Sequence, residues 1–203
     1  MGDPVQLRDG STVTVRPLEP SDGDLVRAIY REMSDVSRRR RFLAPAEELT
    51  DEDVAYLTDV GHPRHEALVA LSEDGRPLGI ARSVRRPGDR ETGEVAVVVV
   101  DDWHRRGLGR ALLDGLTERA RANGLKRYTA VVSPDNDVVL DALERNGADR
   151  TAVTEDGEIE FAFDLPAEGL GDRLSGALRA AGSLDWGFIG QALRLLPWRG
   201  RSG

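Results

Sequence analysis

Cysteine is absent from the 203 residues, which excludes a disulfide framework, a thiolate nucleophile and a zinc-thiolate centre. Lysine is nearly absent too: Lys126 is the only one, and arginine, charged under any ordinary condition, supplies the remaining basic side chains. No apolar run approaches the roughly 20 residues that span a bilayer, and nothing after Met1 resembles a secretory leader. These absences predict a cytoplasmic protein. An excess of positive charge is also missing. The net charge of −8 argues against a nucleic-acid binder and suits cationic substrates such as amines.

The length predicts one well-buried domain with an appendage rather than two full domains. Residues 165–203 hold three acids and five arginines, a net of +2, which leaves −10 on residues 1–164. The chain is accordingly divided into a domain at 1–164 and an extension at 165–203.

The most informative stretch runs from Glu94 to Leu113. A lone carboxylate, Glu94, precedes six consecutive apolar residues, Val95 to Val100, whose β-branched character suits a strand buried on both faces. Asp101 to Arg106 turn the chain, and Gly107-Leu108-Gly109 opens a helix with Leu108, Ala111, Leu112, Gly115 and Leu116 on one side. A strand, glycine turn and helix start in that order leaves backbone N–H groups aimed outward at the positive end of a helix, where a phosphate binds. The spacing fits neither the P-loop, which needs Gly-Lys-Ser/Thr, nor the dinucleotide fingerprint, whose third glycine is replaced by Leu112.

Three Asp-Gly pairs, at 9–10, 74–75 and 156–157, each lie between β-prone segments and predict three hairpins. Ser21 is the expected N-cap of a helix burying Leu25, Ile29 and Met33, and Thr50 with Asp53 forms a capping-box pattern before Val54 and Leu57. Arg127 to Val132 reads as a strand, and Asp135 to Arg145 as a helix stopped by Asn146-Gly147. The strand-helix-strand order across 94–132 predicts a right-handed crossover and two parallel strands. Four arginines, Arg38 to Arg41, read as a solvated helix face or as a binding surface. His62 and His65 read as loop residues, with no third ligand spaced for a metal. In the extension, Leu170, Leu174, Leu178 and Ala181, then Phe188, Ile189, Ala192, Leu193 and Leu196, recur at helical spacing. Those helices are expected to cover the domain or to pair two subunits as a homodimer, with membrane-surface docking through Trp186 and Trp198 as the lesser alternative.

His104-Arg105-Arg106-Gly107-Leu108-Gly109 resembles the acyl-CoA-binding motif Gln/Arg-x-x-Gly-x-Gly/Ala of the GNAT superfamily of N-acetyltransferases, with Glu94 ten residues ahead as in many of its members. The resemblance covers residues 5–164. It implies an α+β fold: a mixed, largely antiparallel twisted sheet, helices on both faces, and a parallel, splayed strand pair at the cofactor site. Asn136, with Gly147 eleven residues on, resembles the family's asparagine near the pantetheine, whereas the tyrosine that often follows it by seven residues is Leu143 here. Leu7 to Pro17, Ser37 to Phe42 and Leu57 to Val60 are similar to the Pat-type protein lysine acetyltransferases, many of which carry a regulatory domain for which there is no room ahead of residue 5.

What the resemblance implies is acetyl transfer from acetyl-CoA to a primary amine, a protein lysine or a small molecule, with no metal; a sensor that only binds acyl-CoA is the alternative. Glu94 would be the general base, or would simply end its strand facing solvent. Main-chain amides of Arg105, Arg106, Gly107, Leu108, Gly109 and Arg110 would hold the pyrophosphate, and an amide among Val97, Val98 and Val99 would face the thioester oxygen. His104 is a turn residue or a second titrating group. Without cysteine, direct attack in a ternary complex is expected.

Overall fold

The alternating residues around Asp9-Gly10 form the expected hairpin, β1 (Asp3–Gln6) against β2 (Thr12–Pro17), in a computed structural model that describes residues 2–34, 48–60, 64–86, 88–154, 157–167 and 169–171. The other two follow the same rule. β3 (His65–Leu71) pairs with β4 (Pro77–Arg85), and β7 (Asp149–Val153) with β8 (Ile159–Asp164). Between them lie β5 (Thr92–Val99) and β6 (Arg127–Val132), so the sheet order is β1-β2-β3-β4-β5-β6-β8-β7. Among the described strands only the β5/β6 pair is parallel, as the crossover rule requires.

Four helices flank the sheet among the described residues: α1 (Gly23–Glu32), α2 (Asp51–Thr58), α3 (Leu108–Ala122) and α4 (Asp137–Arg145). Side chains alternate across a strand, so the valine run of β5 feeds two cores. Val95, Val97 and Val99 pack with Leu108, Leu112, Leu113 and Leu116 of α3 and with Val139 and Leu143 of α4. Ala96 and Val98 meet Val26, Ile29 and Tyr30 of α1 and Val54 and Leu57 of α2 on the other face. None of the described helices is long and apolar enough to cross a membrane.

Local chemistry sets the helix starts. Thr50 caps α2 as its sequence predicts: Oγ1 accepts from the Asp53 amide at 3.1 Å, and the Asp53 carboxylate accepts from the Thr50 amide at 2.9 Å. Ser21 does not cap α1. Asp22 occupies that position, and its carboxylate is committed to Arg16, at 2.6 and 2.7 Å, and to the Glu19 amide at 2.8 Å. The helix is thus rotated to bury Val26, while Leu25 is only half-buried. α4 begins at Asp137 rather than Asp135, because the Ser133 hydroxyl donates to Asp135 at 2.5 Å and the Asn136 amide to the Ser133 carbonyl at 3.0 Å, closing a turn first.

His65 is not a loop residue. It opens β3 and is buried. Arg38 to Arg41, His62 and the helical stripes beyond residue 171 lie outside the described residues. Leu170, at the start of the extension, packs into the α3 core, and the Gly171 amide donates to Asp114 Oδ1 at 2.7 Å.

Candidate active site

β5 and β6 are paired only at Thr92↔Arg127, Gly93↔Tyr128 and Glu94↔Thr129. Past Glu94 each strand keeps its outer partner, β5 with β4 as far as Val99 and β6 with β8 as far as Val132, but they no longer pair with each other. The sheet therefore splits along a seam in its middle. Successive residues of a strand point their backbone groups to opposite sides. The Val100 amide donates to Leu78 of β4 at 3.0 Å, which leaves the amides of Val97 and Val99 facing the seam, whereas that of Val98 faces β4. His104 fits this pattern, since its Nε2–H donates to the Val99 carbonyl at 2.9 Å. It fastens the end of β5 to the turn.

The turn itself stands beyond the carboxyl end of β5. Arg105 and Gly107 have positive φ, 65° and 93°, and Gly107 is the N-cap of α3 with no side-chain cap. First-turn amides, those of Leu108 and Gly109 among them, therefore point out of the helix end, where the macrodipole favours an anion. Trp103 lies under the Arg106 guanidinium, 4.7 Å from ring to cation, which shapes the outer wall. Because β5 and β6 are parallel, the carboxyl end of β6 opens on the same side of the sheet. Asn136 sits there, 5% exposed, with a buried Nδ2 that has no hydrogen-bond partner. A buried amide donor left unsatisfied is costly unless a ligand or water meets it. Amides at a helix mouth, two open strand edges and an unpartnered carboxamide together fit a long molecule with an anionic end and amide groups along its length.

The opposite approach to the seam is from the α1/α2 face. Glu94 is half-buried on that face, on the last rung before the strands part, and Thr129 across from it keeps its Oγ1 buried and unpartnered. A cleft opens on the same sheet face, lined by Ile29, Met33, Leu57, Ile80, Arg82 and Val98 among others. Arg82 is the surprise. It stands mid-strand in β4, 3% exposed, with its guanidinium 5.0 Å from the Tyr56 ring centre and none of its nitrogens hydrogen-bonded. Burial pulls its pKa down to about 10, opposed by Tyr56 and Glu94, so it stays charged at neutral pH.

Behind Arg82, the His65 Nδ1–H donates to the Asp59 carbonyl. Burial, and then the charge of Arg82, pull His65 down to about 4, so it is neutral where the unfolded chain's histidine, near 6.5, begins to titrate. As pH falls below about 6.5 the unfolded state binds the proton first, and stability is lost progressively until about pH 4, by on the order of 3 kcal/mol. The chain should show a falling denaturant midpoint over that window, and His65→Gln should remove most of the fall. An equal pH slope in both proteins would show that His65 is not its source.

A sequence model of the acetyltransferase (GNAT) family matches residues 27–148. The chain belongs to that family. An acetyltransferase of Pseudomonas aeruginosa is 33% identical over 138 residues, 66% of this chain and 74% of that protein. The acetyltransferase Pat of Mycolicibacterium smegmatis is 32% identical over 165 residues, 80% of this chain; the match spans 49% of that longer relative. Among solved structures, the GNAT domain of S. lividans PAT superposes with a TM-score of 0.72 at 30% identity, covering 81% of this chain and 97% of that one.

Within this GNAT chain, the residues singled out by sequence gather at the seam from two sides: Glu94 from the α1/α2 face, and Val97, Val99, the 104–110 turn and Asn136 from its edges and carboxyl end. Val98 stands apart, its side chain lining the cleft. Leu143 is buried in the α3 core, and Tyr128 is too, its hydroxyl 3.5 Å from the Leu116 carbonyl and its pKa raised by burial. Neither faces the cleft. Sequence reasoning missed Arg82 and Tyr56. The available signal was a lone charge at the centre of the apolar run Leu78 to Val84.

Proposed function

We propose that this chain transfers an acetyl group from acetyl-CoA to a primary amine by direct attack, with Glu94 as general base. The observation that carries this reading is the position of Glu94 on the last paired rung of β5/β6, where the seam opens, on the sheet face that carries the cleft and diagonal to Arg82. In this reading the amides of Arg105 to Arg110 hold the pyrophosphate, Asn136 meets the pantetheine, and acetyl-CoA supplies an acyl carbon activated as a thioester. An amine of pKa about 10.4 is mostly protonated at neutral pH and cannot attack until that proton leaves. Glu94 takes it, directly or through a water beside Thr129. The nitrogen then bonds to the acyl carbon, the carbon–sulfur bond breaks, and the amide of Val97 or Val99 donates to the oxygen on which charge develops. No side chain is assigned as the acid. CoA departs as a thiolate, and the second proton that the nitrogen sheds as the amide forms passes through solvent to that sulfur, while Glu94 returns the first to solvent.

A protein lysine as acceptor is supported by the resemblance to the Pat-type enzymes. A small-molecule amine is supported by the buried Arg82 in the cleft. Thiol release from acetyl-CoA, followed with a panel of small amines and lysine-bearing proteins, tests the reading. Acceleration by at least one class is expected. Tight CoA binding with no acceleration by either would replace the enzyme with an acyl-CoA sensor.

A further inference from the structure

The structure buries a cation that faces an aromatic ring and donates no well-formed hydrogen bond. Arg82 is 3% exposed, lines the cleft, and none of its three nitrogens has a hydrogen-bond partner of good geometry; the buried Tyr56 hydroxyl beside it interacts with the guanidinium electrostatically without such a bond. Glu94 attracts Arg82 at longer range without a hydrogen bond between them. A guanidinium removed from water and left unsatisfied is among the costliest features a core can carry. Its planar fork matches one chemistry above others, a carboxylate accepting two parallel N–H bonds. The Tyr56 hydroxyl adds a third donor. A doubly charged phosphate fits less well, because one cation faces it and Glu94 stands on the same sheet face.

We infer that the acceptor amine of this chain is an amino acid, bound with its carboxylate on Arg82 and Tyr56 and its nitrogen toward Glu94. The inference rests on the acetyl-transfer reading above and names its substrate. The register supplies the geometry. Arg82 is paired with Ala96, and Val84 with Glu94, so Arg82 and Glu94 are diagonal neighbours on one face, roughly 7–8 Å apart at the backbone. Side chains reaching inward from those positions bracket a zwitterion, anion to cation and cation to anion. Ile29, Met33, Leu57 and Val98 leave an apolar space for the rest of the molecule.

The test uses matched amines that differ only in the carboxylate, leucine against isoamylamine and lysine against cadaverine, with acetyl-CoA saturating. The amino acid of each pair is expected to have the higher kcat/KM, by on the order of 10²-fold and mainly through KM, because a site built to hydrogen-bond a group rejects the analogue lacking it. Arg82→Met should bring that ratio to about one, and Arg82→Lys should leave a reduced preference. Arg82→Met replaces an unpaired buried charge by an apolar side chain, so its Tm should equal or exceed that of the unaltered chain, which separates lost recognition from lost folding. Isocaproate, leucine without its amine, gives a readout without transfer: it should bind by calorimetry to the unaltered chain and not to Arg82→Met. If isocaproate binds that way while no amine releases thiol, the carboxylate site stands and the transfer reading falls. A ratio near one in the unaltered chain, an Arg82→Met that keeps the preference, or a lysine-bearing protein acetylated far faster than every amino acid would overturn the inference.

Discussion

Glu94→Gln is expected to lower kcat for amine acetylation by about 10² to 10⁴-fold, the span typical of a removed general base. Glutamine keeps the shape and length of the side chain, so Glu94→Gln leaves the β5/β6 rung geometrically intact while losing the group that takes a proton. Acetyl-CoA binding, which is proposed to use the other side of the seam, should change little. The variant also has a signature in pH. Without a base, only amine that is already neutral can attack, so its rate should climb in proportion to the free-amine fraction until the amine's own pKa near 10.4, whereas the unaltered chain should level off far earlier. A variant within a fewfold of the parent at neutral pH, with the same profile, would remove Glu94 from the mechanism.

Gly107→Val should weaken acetyl-CoA binding by about 10²-fold, and the reason is conformational. Gly107 has φ 93° at the mouth of α3, a region that costs a residue with a Cβ roughly 1–2 kcal/mol and a β-branched one more. A Cβ built there would meet Arg8 Cγ at 3.5 Å, an ordinary contact, so crowding is not the main penalty. To relieve the strain the turn would rotate, and the amides of Leu108 and Gly109 would no longer converge on one anion. Asparagine tolerates this region better than other residues with a Cβ, so Gly107→Asn should retain much more affinity than Gly107→Ala or Gly107→Val. The Tm should drop by only several degrees in the worst case, since a strain of that size moves the Tm of a chain this long by about 2–4 °C per kcal/mol. Equal losses in all three variants would point to steric exclusion instead.

The fold was largely legible because its cues are local. Each Asp-Gly turn, the capping box at Thr50 and the two-faced valine run of β5 carry their meaning within a few residues. The cap of α1 was misread because the decisive partner of Asp22 is Arg16, six residues away on another element, and that bond removes Asp22 from capping duty. The candidate site divides the same way. The 104–110 turn and Glu94 are contiguous in sequence and follow a spacing, whereas Arg82, Tyr56 and His65 come together only when β3, β4 and α2 are stacked. Leu143 could be recognised as a departure from the family pattern, but that its position faces the α3 core depends on how α4 lies on the sheet.

The seam has one more consequence, for solubility. Open strand edges are templates on which other chains add strands, and proteins usually blunt them with charges, prolines or bulges. Here the apolar residues 95–99, four valines and Ala96, form such an edge with none of those devices. The edge is safe because of where it lies. It faces β6 within the sheet, with β4 paired along its other side and helices over both faces, so an aggregating strand would have to enter a slot whose two walls are already tied to their outer neighbours. The same opening at the rim of the sheet would invite polymerisation; in the middle it admits only something as slender as a single extended small molecule.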